Sequence, residues 1–165
     1  MSHNVIQCSF QAGAIRKRRG IVQRQANGSA LLVPVRLAGS GKVNGQPLPS
    51  AVLHKMEAAF NATFSDIRVH VGPEAGAIGA VAFARGSDLY FAPGQYDPYS
   101  MRGQQLLGHE LAHVVQQRAG RVRNPFGAGV AVVEDRELED EADQMGRAAA
   151  NGLAAHPRLR RKRWP

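Results

Sequence analysis

The sequence predicts an α+β domain in which a short antiparallel sheet packs on two amphipathic helices that follow it in the chain. Three observations carry this expectation. Ile67, Val69 and Val71 alternate with Arg68 and His70, the period of a half-buried strand. Ala80–Ala84 and Leu89–Ala92 flank Arg85-Gly86-Ser87-Asp88, the pattern of a β-hairpin with a glycine in its turn. Beyond them, helical spacing of apolar residues runs over roughly 101–119 and 134–153.

The other elements follow in order. Residues 1–28 are polar and basic without clear periodicity, so residues 1–44 are expected to form a basic, largely flexible arm. Within it Ala30–Leu37 has strand character, and Pro34 confines such a strand to a sheet edge. Gly39-Ser40-Gly41 and Asn44-Gly45 mark a turn region, which places the boundary of the main domain, 45–155, near residue 45. Val52, Met56, Ala59 and Phe60 share one helix face over Pro47–Phe60, with Ser50 as the expected N-cap. Gly120, Pro125, Gly127 and Gly129 make the connection between the last two helices a loop, and 156–165 is a basic tail.

A chain of 165 residues, 44% hydrophobic and 21% charged, suits one globular domain. Its formal charge is +8, but residues 46–155 hold nine basic against thirteen acidic residues. The excess positive charge is terminal, so the pI alone does not indicate a nucleic-acid-binding fold; the ends could still attract polyanions. No apolar run is long enough for an integral membrane segment. The first residues lack a signal-peptide pattern, so synthesis is expected to be cytoplasmic. With Cys8 as the sole cysteine, an intrachain disulfide is impossible.

The chemistry lies in the two C-terminal helices. His109-Glu110-Leu111-Ala112-His113 is an HExxH motif. Residues four apart project from one side of a helix, so His109 and His113 can offer two imidazoles to one zinc ion. Glu110 stands about 100° round the helix, within reach of a zinc-activated water as general base but not itself a ligand. Leu107, Leu111, Val114 and Val115 lie opposite the histidines and would turn the metal face outward into a cleft.

Catalytic zinc usually takes three protein ligands, and the acidic helix supplies carboxylates. With Glu139 at the origin and about 100° per residue, Leu138, Ala142, Met145 and Ala149 form one apolar stripe beside Glu139, Asp143 and Gly146. Glu139 is therefore the expected third ligand, with Asp143 behind one of the histidines. Gly146 would allow close helix approach, while Glu137 and Glu141 fall on the far, solvent side.

Gly45-Gln46-Pro47-Leu48-Pro49, Phe64–His70, Asp88-Leu89-Tyr90-Phe91 and Leu106–Gln117, in that order, resemble the core domain associated with extracellular contractile injection systems. The acidic helix Glu139–Asp143 is similar to the third-ligand helix of gluzincin peptidases. The resemblance covers about residues 45–150. It implies a small zincin or gluzincin-like fold and HExxH zinc metallopeptidase activity. It also implies a link to injected cargo or toxins, with delivery by the injection apparatus and its components as partners. In zinc peptidases of this plan a strand edge beside the metal helix binds the peptide substrate as an added strand, and Asp88–Phe91 is the candidate here.

Three functions compete: a zinc endopeptidase, a non-catalytic zinc-stabilised adaptor or assembly module, and a binder of polyanions through the basic ends. Glu110 favours the first, because a structural zinc site has no use for that carboxylate. Tyr90, Tyr96, Tyr99 and Arg147 are candidate oxyanion donors, His70 is expected to make local hydrogen bonds, and Cys8 could ligate zinc as a latency thiolate.

Overall fold

Strand segments from both ends of the chain meet in one sheet. A computed structural model describes residues 5–9, 29–33, 45–123 and 130–155. In chain order the elements are β1 (Val5–Ser9), β2 (Ser29–Val33), α1 (Ser50–Phe60), β3 (Arg68–Val71), α2 (Glu74–Ala77), β4 (Ala82–Arg85), β5 (Asp88–Phe91), α3 (Met101–Arg118), β6 (Val130–Glu134) and α4 (Arg136–Ala150). The class is α+β, as expected, and the strand order is β2-β6-β1-β4-β5-β3.

The sheet is mixed, not antiparallel throughout. β4 and β5 form the expected hairpin around Gly86, whose φ is +60°. A two-residue connection can join only antiparallel neighbours. β3 instead pairs parallel with β5, and β1 parallel with β6, which the long stretch of chain between the strands of each pair permits. β5 is therefore an interior strand between β4 and β3, so Asp88–Phe91 has no free edge on which to add a substrate strand.

Val5–Ser9 and Ser29–Val33, within the stretch expected to be a flexible arm, are both strands. β1 sits between β6 and β4, and β2 takes the edge position that Pro34 had suggested. The strand β6 lies where a loop was expected, and its Val130-Ala131-Val132-Val133 run is its sequence signal. The expectations for residues 10–28, 34–44, 124–129 and 156–165 lie outside the described residues.

Strand alternation sends two sets of side chains to opposite faces. Ile6, Phe83 and Tyr90 pack with Ala75 of α2 on one face. Val69, Ala82, Ala84, Leu89 and Phe91 join residues of α1, α3 and α4 in the main core on the other. The small side chains of Ala82 and Ala84 let α3 lie on the middle of the sheet, over β1 and β4. Leu107 and Leu111 are fully buried, each stabilising the fold by about 2–3 kcal/mol. α4 packs along α3 and also touches α1.

Local signals set the helix limits. Ser100 caps α3 by accepting from the Gly103 N–H, and Asp135 caps α4 by accepting from Glu137 and Leu138. At α1 the cap residue is Pro49, and Ser50 is already the first helical residue. His70 behaves as expected: Nε2 lies 2.8 Å from Asp88 Oδ1 and the ring stacks on Tyr90. Among the described residues, no helix is long and apolar enough to cross a membrane.

Candidate metal centre

His109 and His113 lie on the side of α3 that α4 covers. Two glycines bring the helices together. A Cβ on Gly108 would stand 2.9 Å from the Gly146 Cα, and one on Gly146 would stand 2.6 Å from the Gln105 carbonyl oxygen. The backbones can approach only because both positions lack a side chain. The α4 stripe of Leu138, Ala142, Met145 and Ala149 is buried as its spacing predicts, and this phase points Glu139 at the two imidazoles.

One ligand atom each from His109, His113 and Glu139 lies within 4.8 Å of the other two, so the three residues could hold a metal ion. His109 Nε2 is 3.3 Å from Glu139 Oε2, and His113 Nε2 is 3.4 Å from Glu139 Oε1. These are ion-pair distances without hydrogen-bond alignment: both Nε2 atoms and Glu139 Oε1 are buried with no hydrogen-bond partner. Such atoms are costly in an apolar interior. Two imidazoles and a carboxylate are a donor set that suits a divalent metal such as zinc.

Each imidazole is held from behind. His109 Nδ1 lies 2.9 Å from Asp143 Oδ1, and His113 Nδ1 lies 2.9 Å from Gln116 Oε1. An acceptor on Nδ1 leaves Nε2 free to ligate. Asp143 thus stands behind His109, as its position one turn beyond Glu139 predicts. Gln116 was not anticipated, although its place three residues after His113 on the same helix face was a readable signal.

Glu141 departs from expectation. It does not face solvent: its Oε2 accepts from Gln116 Nε2 at 2.8 Å and pairs with Arg121 Nη1 at 2.5 Å. The expected outward-facing cleft is also absent at these side chains. His113 and Glu110 are 0% exposed and His109 is 8% exposed.

The electrostatics favour a charged pair in the absence of a metal. Burial works against a charged His109, but the Asp143 hydrogen bond and the Glu139 carboxylate outweigh it, raising the pKa from 6.5 to about 10. Burial likewise opposes ionisation of Glu139, yet its contacts with His109 and His113 lower its pKa from 4.5 to about 2. The hydrogen bond to His109 holds Asp143 below the usual carboxylate range. A metal ion would take the place of the His109 proton.

Of the oxyanion candidates, Tyr90 lies on the opposite face of the sheet, stacked between His70 and Phe83. Tyr96 packs on Phe91, and Tyr99 is 75% exposed. Arg147 is joined to the centre, with Nη2 3.5 Å from Asp143 Oδ2. Cys8 belongs to β1, opposite Phe83 in the register.

No curated protein and no solved structure matches the chain. The family model described as the eCIS core domain matches residues 47–121, a span that takes in His109, Glu110, His113 and Gln116 and stops before Glu139 and Asp143. That match supports placing this segment of the chain in the eCIS core domain family, consistent with a component of a contractile injection system.

Proposed function

We propose that the protein is a zinc-dependent endopeptidase of gluzincin type that serves a contractile injection system, as a toxin or a cargo-processing component. His109, His113 and Glu139 hold the metal, Asp143 orients His109, and Glu110 is the general base. The observation that carries this is the convergence of ligand atoms from His109, His113 and Glu139 within 4.8 Å of one another, with the HExxH carboxylate one residue from a ligand. Zinc, when bound, would supply Lewis acidity and a water of lowered pKa. The chain's own part is to fix the imidazoles by their Nδ1 atoms, to exclude water around them, and to take and return a proton at the Glu110 carboxylate.

One observation favours the adaptor alternative: Glu110 is wholly buried, and a base that meets no substrate would leave zinc as a staple between α3 and α4. Metal analysis and a peptide-cleavage screen, run on wild type and Glu110→Gln, separate the two. The peptidase predicts that wild type binds one zinc per chain and cleaves, while Glu110→Gln keeps the zinc and loses cleavage. Equal cleavage by both proteins would remove Glu110 from the mechanism. Zinc binding with no cleavage by wild type would favour the adaptor.

A further inference from the structure

We infer that Gln116, fixed by Gln7 of the N-terminal strand, is the positioning residue that holds His113 in its metal-binding tautomer, so that docking of β1 and loading of the metal are coupled. The inference rests on the metal-site part of the proposed function and not on peptidase activity.

Gln116 is 1% exposed, and its amide has only one orientation that satisfies its neighbours. Nε2 lies 2.9 Å from the Leu138 carbonyl oxygen and 2.8 Å from Glu141 Oε2. A carbonyl and a carboxylate can only accept, so the NH2 must face them. Oε1 is thereby turned toward His113 Nδ1 at 2.9 Å and Gln7 Nε2 at 3.1 Å. An amide oxygen cannot donate, so His113 Nδ1 must carry a proton, which leaves Nε2, on the side of Glu139, as the atom that can ligate.

Gln7 completes the chain of constraints. It is fully buried in β1, and its own Oε1 accepts from Gln117 Nε2 at 3.2 Å. Gln117 Nε2 also lies 3.2 Å from the Ala84 carbonyl oxygen, and its Oε1 accepts from the Gly86 N–H at 2.9 Å. A buried polar network therefore runs from the β4–β5 turn through β1 and α3 to the metal ligand. Fully satisfied networks of this kind are rigid, and a gap at any member leaves its neighbours unpaired. A strand drawn from the first ten residues, more than 100 positions from His113 in sequence, thus holds part of the metal site in place.

The test uses the full chain, zinc in competition with a chelator, and 15N-labelled histidine spectra of metal-free and zinc-loaded protein. Gln116→Met removes the acceptor while keeping a side chain of similar length. It should weaken zinc binding about 10–100-fold and give metal-free His113 a mixture of tautomers. Gln7→Met, which removes the neutral hydrogen bonds to Gln116 and from Gln117, should weaken binding about 2–10-fold. The inference is overturned if Gln116→Met keeps either wild-type zinc affinity or a pure Nδ1–H signal. Should Gln116→Met fail to fold, Gln7→Met decides: unchanged affinity there would end the coupling to β1. A wild type that takes up no zinc defeats the metal site and the coupling alike, whereas a zinc-loaded wild type without cleavage leaves this inference standing.

Discussion

Gly146→Ala tests whether close helix approach builds the metal centre. The new methyl would lie 2.6 Å from the Gln105 carbonyl oxygen and 2.8 Å from the His109 backbone nitrogen. Both are backbone atoms of α3, so no side chain can swing aside. Restoring ordinary contact requires α3 and α4 to part by about 0.6–0.8 Å, an overpacking that typically costs about 1–3 kcal/mol. The same movement stretches the 3.3 and 3.4 Å contacts between Glu139 and the two imidazoles to about 4 Å, too wide for one tetrahedral ion. Zinc affinity should therefore fall at least about tenfold, since ligating groups tolerate only about 0.5 Å of misplacement. Gly76 in α2 is the control, because nothing stands within 4 Å of a Cβ built there. Denaturant unfolding and chelator competition on the two variants give the answer. A Gly146→Ala protein as stable as Gly76→Ala and equally tight for zinc would refute the idea that helix separation sets the site.

Two further outcomes follow from the same geometry. Glu139→Ala should lose zinc steeply and Asp143→Ala by about 10–100-fold, while Glu141→Ala should also weaken zinc, because Glu141 holds the Gln116 amide; chelator competition ranks them, and a Glu141→Ala protein identical to wild type would remove it from the site. In the metal-free protein the His109 pair stabilises the fold fully below pH 6.5 and is lost as pH rises toward about 10, whereas the Glu139 contribution is full above pH 4.5 and is lost as pH falls toward about 2. Melting temperature without metal should thus decline from pH 6.5 to 9.5, and with zinc, which displaces the His109 proton, that alkaline decline should be absent; parallel profiles would contradict the exchange.

What the sequence revealed was whatever depends on local period. The HExxH spacing placed both histidines on one side of α3, and the stripe Leu138, Ala142, Met145 and Ala149 fixed the phase of α4 well enough to single out Glu139 and Asp143. Non-local relations were hidden. β1 carries Gln7 and Cys8 in the middle of Val5–Ser9, which breaks the apolar pattern, and it is ordered by pairing with β6 more than 100 residues away. Buried glutamines look like surface residues in a sequence, because only the fold supplies the partners that make their burial affordable. Glu141 misled for a related reason. Its helical angle points away from Glu139, but Arg121 and Gln116 reach over from α3 and the residues just after it to enclose it.

The ligand count bears on which of the two functions is stronger. A structural zinc site is closed by four protein ligands, whereas a catalytic one uses three and keeps the fourth position for water or substrate. Among the described residues the cluster offers three: His109, His113 and Glu139. Glu110, next to His109 in sequence, is wholly buried although glutamate is among the residues least tolerant of burial. A fourth protein ligand would favour the staple, whereas three leave a position for the water on which the proposed role of Glu110 depends.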